Sequence, residues 1–406
     1  MISLNVTSEV GQLKKVLLHR PGLELEHLTP KWLNQLLFDD IPWLKRAQEE
    51  HDEFKKILED HQVEVFYLED LVSESLSNKQ VKNQFIEQFI DEAGVINKQT
   101  KKKLRAYLSS LNTKEMVKET MSGIPKTKLE GVRLVSLKER IEDYPFITDP
   151  MPNLYFTRDP FSIIFDGVSI NKMHRNVRER ETIYGDYIFT YHPSFKDKKR
   201  FYERTEKPSI EGGDILVLSK KVVAIGISER TNPDAIELIA KSLFESSELE
   251  YVVAIDMPKK RAFMHLDTIL TQVNTYQFLV HHDFLKKLNI YLIRRGSKKD
   301  HLVIEHKEET LKRVFSRLLK NAITMIPCGA NDAIASDREQ WNDGANTLAI
   351  SPGVVIVYER NTITNKLLEQ EGIKVIPMAS SELSRGRGGP RCMSMPLERL
   401  DVGEYE

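Results

Sequence analysis

The stretch Glu211-Gly212-Gly213-Asp214-Ile215-Leu216-Val217-Leu218 joins a short polar turn to an apolar strand, and the segments after it complete one structural unit. A second apolar run follows at Val222–Ile227, a segment typical of a helix spans Pro233–Phe244, and a third apolar run lies at Tyr251–Ile255. Short apolar runs bounded by turn residues are typical of buried strands, whereas a longer amphipathic segment favours a helix. The unit is therefore predicted to be ββαβ, with its polar cluster at the entrance to the first strand.

The same polar cluster and strand pair occur three more times after Pro150. The further copies are Thr157-Arg158-Asp159-Pro160 before Phe161–Phe165 and Val168–Ile170, His265-Leu266-Asp267-Thr268 before Ile269–Val273 and Tyr276–Val280, and Asp343-Gly344-Ala345-Asn346 before Leu348–Ile350 and Val354–Tyr358. A helix and a third strand follow the last copy, at Thr362–Glu371 and Lys374–Ile376. Repeated small β-containing units favour a radial, propeller-like arrangement whose equivalent strand ends converge on one axis. We therefore expect the polar clusters to face one another across a central cavity.

A segment without these clusters interrupts the first part of the chain. From about Leu71 to Lys128 the sequence is polar and has helical periodicity, with Ser77 and Thr113 as expected helix N-caps. No side chain in this segment suggests chemistry. We predict a catalytic α/β unit made of residues 1–70 and 141–406, interrupted by an inserted helical bundle at residues 71–140.

Composition excludes several classes of protein. The 406 residues are 40% hydrophobic and 29% charged, as in ordinary globular proteins, and the net charge of −1 offers no basic field for nucleic acid. Two cysteines, Cys328 and Cys392, cannot build a disulfide scaffold or a multi-cysteine zinc site, and they suit a reducing compartment. No apolar run approaches the ~20 residues that span a bilayer, and the N-terminal residues lack a signal-peptide pattern. We expect a cytoplasmic protein without nucleic-acid or membrane partners.

The loop Ser384-Arg385-Gly386-Arg387-Gly388-Gly389-Pro390-Arg391-Cys392 carries three arginines and three glycines before a cysteine. Glycines let such a loop wrap closely around a small molecule, and neighbouring cations can lower the pKa of a thiol. A solvated basic loop that ends in an inert, buried Cys392 is the alternative. The loop alone does not decide between these two interpretations.

The polar clusters favour a site for a small cation. His265 next to Asp267 suits proton transfer, although any single His-x-Asp can also be a surface turn. Asp159 and Glu211 begin equivalent units, and several carboxylates around one cavity imply a cationic ligand or a metal. A metal is disfavoured because no His-x-x-x-His pattern or second nearby cysteine occurs. Carboxylates, an imidazole and the Cys392 thiol suit a planar guanidinium, whose N–H groups they can hold while sulfur approaches carbon.

Five ordered motifs carry a resemblance to a known family over nearly the full length. They are Phe38-Asp39-Asp40-Ile41, Met151-Pro152-Asn153-Leu154-Tyr155-Phe156-Thr157-Arg158-Asp159-Pro160, Glu211-Gly212-Gly213-Asp214, Met264-His265-Leu266-Asp267 and Arg385-Gly386-Arg387-Gly388-Gly389-Pro390-Arg391-Cys392. With these motifs the chain resembles the bacterial arginine deiminases, members of the guanidine-modifying superfamily of five-bladed, pseudo-symmetric α/β propellers. The helical insert is also a feature of that family.

The resemblance implies roles for individual residues. Cys392 would be the nucleophile and His265 the general acid and base. Asp159 and Asp267 would hold the guanidinium, and Glu211 would bind it and orient His265. The residues implied at the amino-acid end of the substrate are Asn153, Arg178, Arg230 and Arg387. Two of these have alternatives, because a shift of two residues would select Arg180 instead of Arg178, and Arg230 could instead cap the helix that follows.

The implied reaction is hydrolysis of free L-arginine to citrulline and ammonia through an S-alkylthiouronium on Cys392, without metal or cofactor, in a homo-oligomer (dimer or tetramer). An amidinotransferase, an agmatine deiminase and a non-enzymatic arginine-binding protein stay open as alternatives. A Cys-His-Asp protease has no use for three carboxylates. We expect Cys328 to be buried and His281-His282 to lie on a turn, both with structural roles.

Overall fold

The computed structural model describes residues 2–129, 144–298, 301–330 and 332–403. Residues 130–140 of the predicted helical insert lie outside this part. The strands are β1 (Leu13–Leu18), β2 (Glu64–Tyr67), β3 (Ile124–Pro125), β4 (Phe146–Thr148), β5 (Phe161–Ile164), β6 (Gly167–Ile170), β7 (Arg200–Tyr202), β8 (Ile215–Ser219), β9 (Val222–Ile227), β10 (Tyr251–Asp256), β11 (Leu270–Asn274), β12 (Gln277–Val280), β13 (Leu288–Arg295), β14 (Leu302–Glu309), β15 (Thr324–Pro327), β16 (Leu348–Ser351), β17 (Val354–Tyr358), β18 (Lys374–Met378) and β19 (Met395–Arg399).

The α-helices in these ranges lie between the strands, and four of them follow one another without an intervening strand. They are α1 (Leu23–Glu26), α2 (Leu44–Asp60), α3 (Leu68–Ser75), α4 (Lys79–Glu92), α5 (Lys98–Ser110), α6 (Thr113–Ser122), α7 (Asn176–Glu179), α8 (Thr182–Tyr191), α9 (Pro233–Ser246), α10 (Leu311–Leu318), α11 (Ala333–Trp341) and α12 (Thr362–Gln370). None of the described helices combines the length and the apolar character needed to cross a membrane.

Five of the sheets share one pattern, in which an antiparallel pair of strands is extended by a parallel strand. Their shared strand orders are β5-β6-β7, β8-β9-β10 (which β13 and β14 extend to five strands), β11-β12-β15, β16-β17-β18 and β19-β1-β2. In the second of them Ile215 lies opposite Ile225 in the hairpin, and Tyr251 lies beside Val222 in the parallel pair. A parallel pair requires a crossover connection, and helix α9 supplies it between β9 and β10. The ββαβ order predicted for the second and fourth units is confirmed.

Three features of the sheets were not predicted. The first and third units also gain a third strand, β7 and β15. The hairpin β13–β14 lies between β12 and β15 in sequence, yet β13 pairs with β10 of the preceding unit. The fifth sheet joins the two ends of the chain, because β19 pairs with β1 in an antiparallel register that sets Met395 opposite Leu17.

The helices α3–α6 form a cluster whose apolar faces continue the core of the first β unit. Phe85 on α4 is fully buried and meets Tyr187 of α8 edge to face, with 5.0 Å between ring centroids. The N-cap predictions were each wrong by one residue: the side chains of Asn78 and Asn112 accept the first-turn N–H bonds of α4 and α6. A short amide side chain reaches these N–H groups as Ser or Thr would.

Single turns of 3-10 helix set the polar clusters in front of their strands. Gly212–Asp214 forms one such turn before β8, and Leu266–Thr268 forms another before β11. The adjacent residues Glu211 and His265 are both extended, so their side chains leave the backbone where each turn begins. A third 3-10 turn, Leu383–Gly386, opens the loop that leads to Cys392.

Candidate active site

A cavity of about 240 Å³ lies among the loops that precede β5, β11 and β19 and the segments that follow β6 and β9. It is lined by most of the predicted site residues: Asn153, Asp159, Arg178, Arg230, His265, Arg387 and Cys392. The other two, Glu211 and Asp267, have no exposed surface and stand one layer behind, against His265 and Cys392 respectively. The polar clusters that are far apart in sequence therefore surround one cavity.

The Cys392 thiol is buried between one hydrogen-bond acceptor and one donor. It donates to Asp267 Oδ2 at 3.4 Å, and it accepts from the side-chain Nδ2 of Asn346 at 3.1 Å. Burial, followed by the charges of Asp267 and Asp159, raises the pKa of this thiol well above its ordinary value. Arg391 opposes this effect only in part. In the empty site the sulfur is therefore a neutral thiol at pH 7.

The imidazole of His265 is held by two carboxylates. Its Nε2 lies 2.7 Å from Glu211 Oε2, and its Nδ1 lies 3.7 Å from Asp159 Oδ1. Although burial favours the neutral ring, the charges of Asp159 and Glu211 raise the pKa of His265 to about 9. Burial also opposes ionisation of Glu211, but Arg230 and His265 lower the pKa of that carboxyl. His265 is therefore a cation at neutral pH and can donate a proton.

Asp159 and Asp267 each keep one oxygen without a hydrogen-bond partner. Oδ2 of Asp159 accepts from Arg178 Nη1 at 2.8 Å, and Oδ2 of Asp267 accepts from Arg391 Nη1 at 2.7 Å. Oδ1 of both residues is buried and accepts no hydrogen bond. Buried carboxylate oxygens are normally satisfied, so two unsatisfied oxygens beside one cavity indicate a missing donor. A cation with several N–H groups fits this arrangement.

Arg178 lines the cavity and Arg180 does not. Arg178 is buried and donates to Glu181 as well as to Asp159, whereas Arg180 donates to the carbonyl of Asp149 and lies over the ring of Phe89. The cavity therefore favours Arg178 over Arg180. Whether Arg178 binds a substrate stays a prediction, since two carboxylates already share its charge.

The other predicted binding residues, Asn153, Arg230 and Arg387, also line this cavity. Nη1 of Arg230 is 3.5 Å from Glu211 Oε2, and Asn232 rather than Arg230 caps α9. The alternative reading of Arg230 as that cap is therefore wrong. The guanidinium of Arg387 stacks on Trp341, with 3.4 Å to the ring centroid. Asn153 donates to the carbonyl of Leu36 at 2.9 Å.

Close packing explains the glycines of the loop before Cys392. A Cβ built at Gly386 would overlap the hydroxyl of Tyr155, and one at Gly388 would overlap the ring of Phe156. Between them Arg387 takes a left-handed conformation, with φ of 65°. A non-glycine residue in that region is strained, so the contacts around Arg387 must fix this backbone conformation. In this conformation the Arg387 side chain lines the cavity.

Asn346 and Arg391 were given no role from the sequence, although each contacts the predicted site. The carboxamide of Asn346 is fully buried: its Oδ1 accepts from the Cys392 N–H at 3.0 Å, and its Nδ2 donates to Cys392 Sγ and to the Asp267 carbonyl. A signal was available, because Asn346 closes the fourth polar cluster and all the other clusters supply site residues.

Two groups of side chains within the described residues have the geometry to hold a metal ion. They are Asp159 with Glu211 and His265, and His281 with His282 and Asp337. In the first group His265 is bound to Glu211 and Asp159 to Arg178, so protein partners already engage these ligands. These contacts favour a metal-free site, which stays a prediction. His282 begins a 3-10 turn, and Cys328 is fully buried as expected.

The solved structures that this fold resembles are distant in sequence. An amidinotransferase of the saxitoxin pathway from Microseira wollei superposes with a TM-score of 0.55 at 15% identity, covering 98% of each chain. A dimethylarginine dimethylaminohydrolase adduct gives 0.52 at 16% identity, covering 96% of this chain and 100% of the other. At this identity the likeness establishes a shared mixed α/β fold.

Comparison of the amino-acid sequence with known families and relatives identifies the family of this chain. The family model described as arginine deiminase matches residues 34–399. The arginine deiminase of Clostridium perfringens (strain SM101 / Type A) is 50% identical over 408 residues, covering 98% of this chain and 99% of the relative. That of Treponema denticola is 49% identical, covering 99% of this chain and all of the relative. The chain belongs to the arginine deiminase family.

Proposed function

We propose that this protein is an arginine deiminase, which hydrolyses free L-arginine to L-citrulline and ammonia through a covalent intermediate on Cys392. One observation carries the proposal: Cys392, His265 and Asp159 line one cavity, Asp267 stands directly behind Cys392, and both aspartates keep one oxygen without a hydrogen-bond partner. Relatives at 49–50% identity over the full length carry the name of this activity.

The two free oxygens would hold the substrate guanidinium. Oδ1 of Asp159 and Oδ1 of Asp267 accept N–H groups from the planar cation, and its carbon then faces the Cys392 sulfur. The carboxylates meanwhile stay bound to Arg178 and Arg391 through Oδ2. Because the guanidinium brings positive charge beside the thiol, substrate binding itself favours the thiolate.

The chemical steps follow from the charges. The thiolate attacks the guanidinium carbon, and protonated His265 gives its proton to the departing nitrogen, which leaves as ammonia. The planar S-alkylthiouronium that remains is still cationic and stays with Asp159 and Asp267. Neutral His265 then takes a proton from water, and the resulting hydroxide attacks the same carbon. Collapse breaks the C–S bond, the hydroxyl proton of the adduct returns to the sulfur, and citrulline leaves. The proton lost from the thiol accompanies ammonia as ammonium.

The amino-acid end of the substrate would meet Asn153, Arg178, Arg230 and Arg387. Arg387 is the member closest in sequence to Cys392, and its stacking on Trp341 holds the guanidinium at the cavity wall. Binding of the α-carboxylate there would also fix the Gly386–Gly389 loop that leads to the thiol. This distinguishes L-arginine from agmatine, which lacks that carboxylate.

The architecture proposed for the family accommodates these steps. We take the five sheets of common strand order as blades of a pseudo-symmetric α/β propeller, built from residues 1–70 and 141–406. Residues 71–140 are the insertion between β2 of the fifth sheet and β5 of the first, and the helices α3–α6, of which α3 begins at Leu68, contribute no side chain to the cavity. We also propose a cytoplasmic location, since both cysteines are free thiols suited to a reducing compartment. Assembly into a homo-oligomer is proposed from the family resemblance alone.

Product analysis tests the function. The unmodified protein should convert L-arginine to citrulline and ammonia in equal amounts, and Cys392→Ala should form neither. Agmatine as the better substrate would assign an agmatine deiminase instead. Transfer to added glycine, seen as guanidinoacetate, would assign an amidinotransferase, and binding of arginine without any product would leave a binding protein.

A further inference from the structure

Arg391 is a buried cation that lies behind the cavity and bridges two carboxylates. Its Nη1 donates to Asp267 Oδ2 at 2.7 Å. On the other side Nε donates to Glu9 Oε2 at 3.0 Å and Nη2 to Glu9 Oε1 at 3.2 Å. Nη2 also donates to the carbonyl of Ile215 at 2.8 Å. The side chain is 1% exposed, and each of its three nitrogens donates to a protein acceptor, so we assign it no direct contact with a substrate.

The fork geometry of Arg391 fixes the direction of its bond to Asp267. Glu9 receives two nitrogens of the planar guanidinium, which leaves Nη1 pointing at Asp267. Glu9 is itself anchored, because its Oε1 accepts from the backbone N–H of Val217 at 3.1 Å. With Oδ2 of Asp267 held in this way, Oδ1 is the oxygen that remains without a partner.

Charge reinforces this geometry. Burial opposes the cation, but the charges of Glu9 and Asp267 raise the pKa of Arg391 above its ordinary value. A fully buried carboxylate without a cation beside it would be costly. Arg391 also precedes Cys392 directly, so one short piece of backbone determines where both the thiol and the Asp267 carboxylate lie.

We propose that Arg391 is a positioning residue of the reaction, which holds the Asp267 carboxylate in place and turns its Oδ1 towards the substrate guanidinium, and that Glu9 anchors Arg391 in this role. The inference rests on the proposed function, since it assigns Asp267 to the guanidinium. Loss of Arg391 should weaken binding of a cationic substrate group and slow attack on it. Binding of a neutral group at the same place should change far less.

Two variants and one matched control test the proposal. Arg391→Met removes the cation, and Glu9→Gln leaves the cation but weakens its anchor. Arg399→Met is the control, because Arg399 is equally buried in the same charged region but donates to the carbonyl of Gly11 at 2.7 Å and does not contact Asp267. The measurements are kcat/KM for L-arginine, the inhibition constant of L-citrulline and thermal stability. Citrulline carries the same amino-acid end and a neutral ureido group.

We expect Arg391→Met to lower kcat/KM by ~100-fold and Glu9→Gln by ~10-fold, as for loss of charged hydrogen bonds. The citrulline inhibition constant should stay within ~3-fold of its starting value, and Arg399→Met should lower stability without this selective loss. If Arg391→Met does not fold, the Glu9→Gln result decides. The proposal would be overturned if the variant weakened citrulline binding as much as it lowered kcat/KM for arginine. It would also be overturned if kcat/KM of Arg391→Met stayed within ~3-fold of the unmodified protein. Inactivity of the unmodified protein would instead overturn the proposed function.

Discussion

Replacing Glu211 with Gln should lower the pKa of His265 and with it the supply of protons for the first half-reaction. Glu211 Oε2 lies 2.7 Å from His265 Nε2, and both groups are buried. At an effective dielectric constant near 20, unit charges ~4–5 Å apart interact by ~3–4 kcal/mol, and ~1.4 kcal/mol corresponds to one pH unit. Part of this interaction is lost to relaxation and to the hydrogen bond that Gln can still make. Asp159 and Asp214 continue to favour the cation.

We therefore expect the pKa of His265 to fall from about 9 to ~7.5 in Glu211→Gln. The protonated fraction at pH 8 would fall from ~0.9 to ~0.25, and the basic limb of the kcat profile would move down by the same amount. The raised pKa of His265 also stabilises the folded protein. This contribution to the free energy of unfolding is complete below pH ~6.5 and is lost as the pH rises through about 9.

Titration of the histidine ring nitrogens by NMR measures this directly. Glu211→Gln should bring the transition of the His265 ring to lower pH than in the unmodified protein, which is measured in parallel. An unchanged or higher pKa for His265 in the variant would refute the assignment of Glu211 as the group that keeps His265 protonated.

Three further predictions follow from the same geometry. Ultraviolet titration of the empty enzyme should show no Cys392 thiolate near pH 7, and a bound guanidinium analogue should generate it; a thiol pKa well below the ordinary value without ligand would contradict this. Agmatine should be poorer than L-arginine by ~10⁴-fold in kcat/KM, and Arg387→Ala should lower kcat as well as raise KM for arginine. Comparable kcat/KM for the two substrates would remove the arginines from the carboxylate site. Asn346→Ala should lower kcat by ~10²-fold with little change in KM, because it removes the donor 3.1 Å from the sulfur; a change confined to KM would contradict that role.

Much of the architecture was predictable because it is local. The hairpin of β8 and β9, the helix α9 and the strand β10 all follow from apolar runs within one segment of the sequence, and the predicted bounds agree within two residues. Because the unit repeats, the clusters at Asp159, Glu211 and Asp267 were also predicted to occupy equivalent places and to lie near one cavity.

Long-range contacts were not predictable in the same way. The β19–β1 pair joins residues from the two ends of the chain. Backbone hydrogen bonds between distant strands do not depend on particular side chains, so neither strand's sequence indicates its partner. The bond between Arg391 and Glu9 spans 382 positions. From the sequence alone Arg391 was one more charge in a basic loop, and its burial became visible only when Glu9 and Asp267 were found on either side of it.

The central claim is that arginine forms a covalent bond to Cys392 and loses ammonia before water enters. Mass spectrometry of the intact protein, quenched in acid during turnover, tests it most directly, with His265→Ala included because that variant should hydrolyse the intermediate slowly. We expect an adduct of ~157 Da, which is arginine less ammonia, located on Cys392 and missing in Cys392→Ala. An adduct of ~42 Da would mean that only the amidine is transferred, and citrulline formation by Cys392→Ala would contradict covalent catalysis altogether.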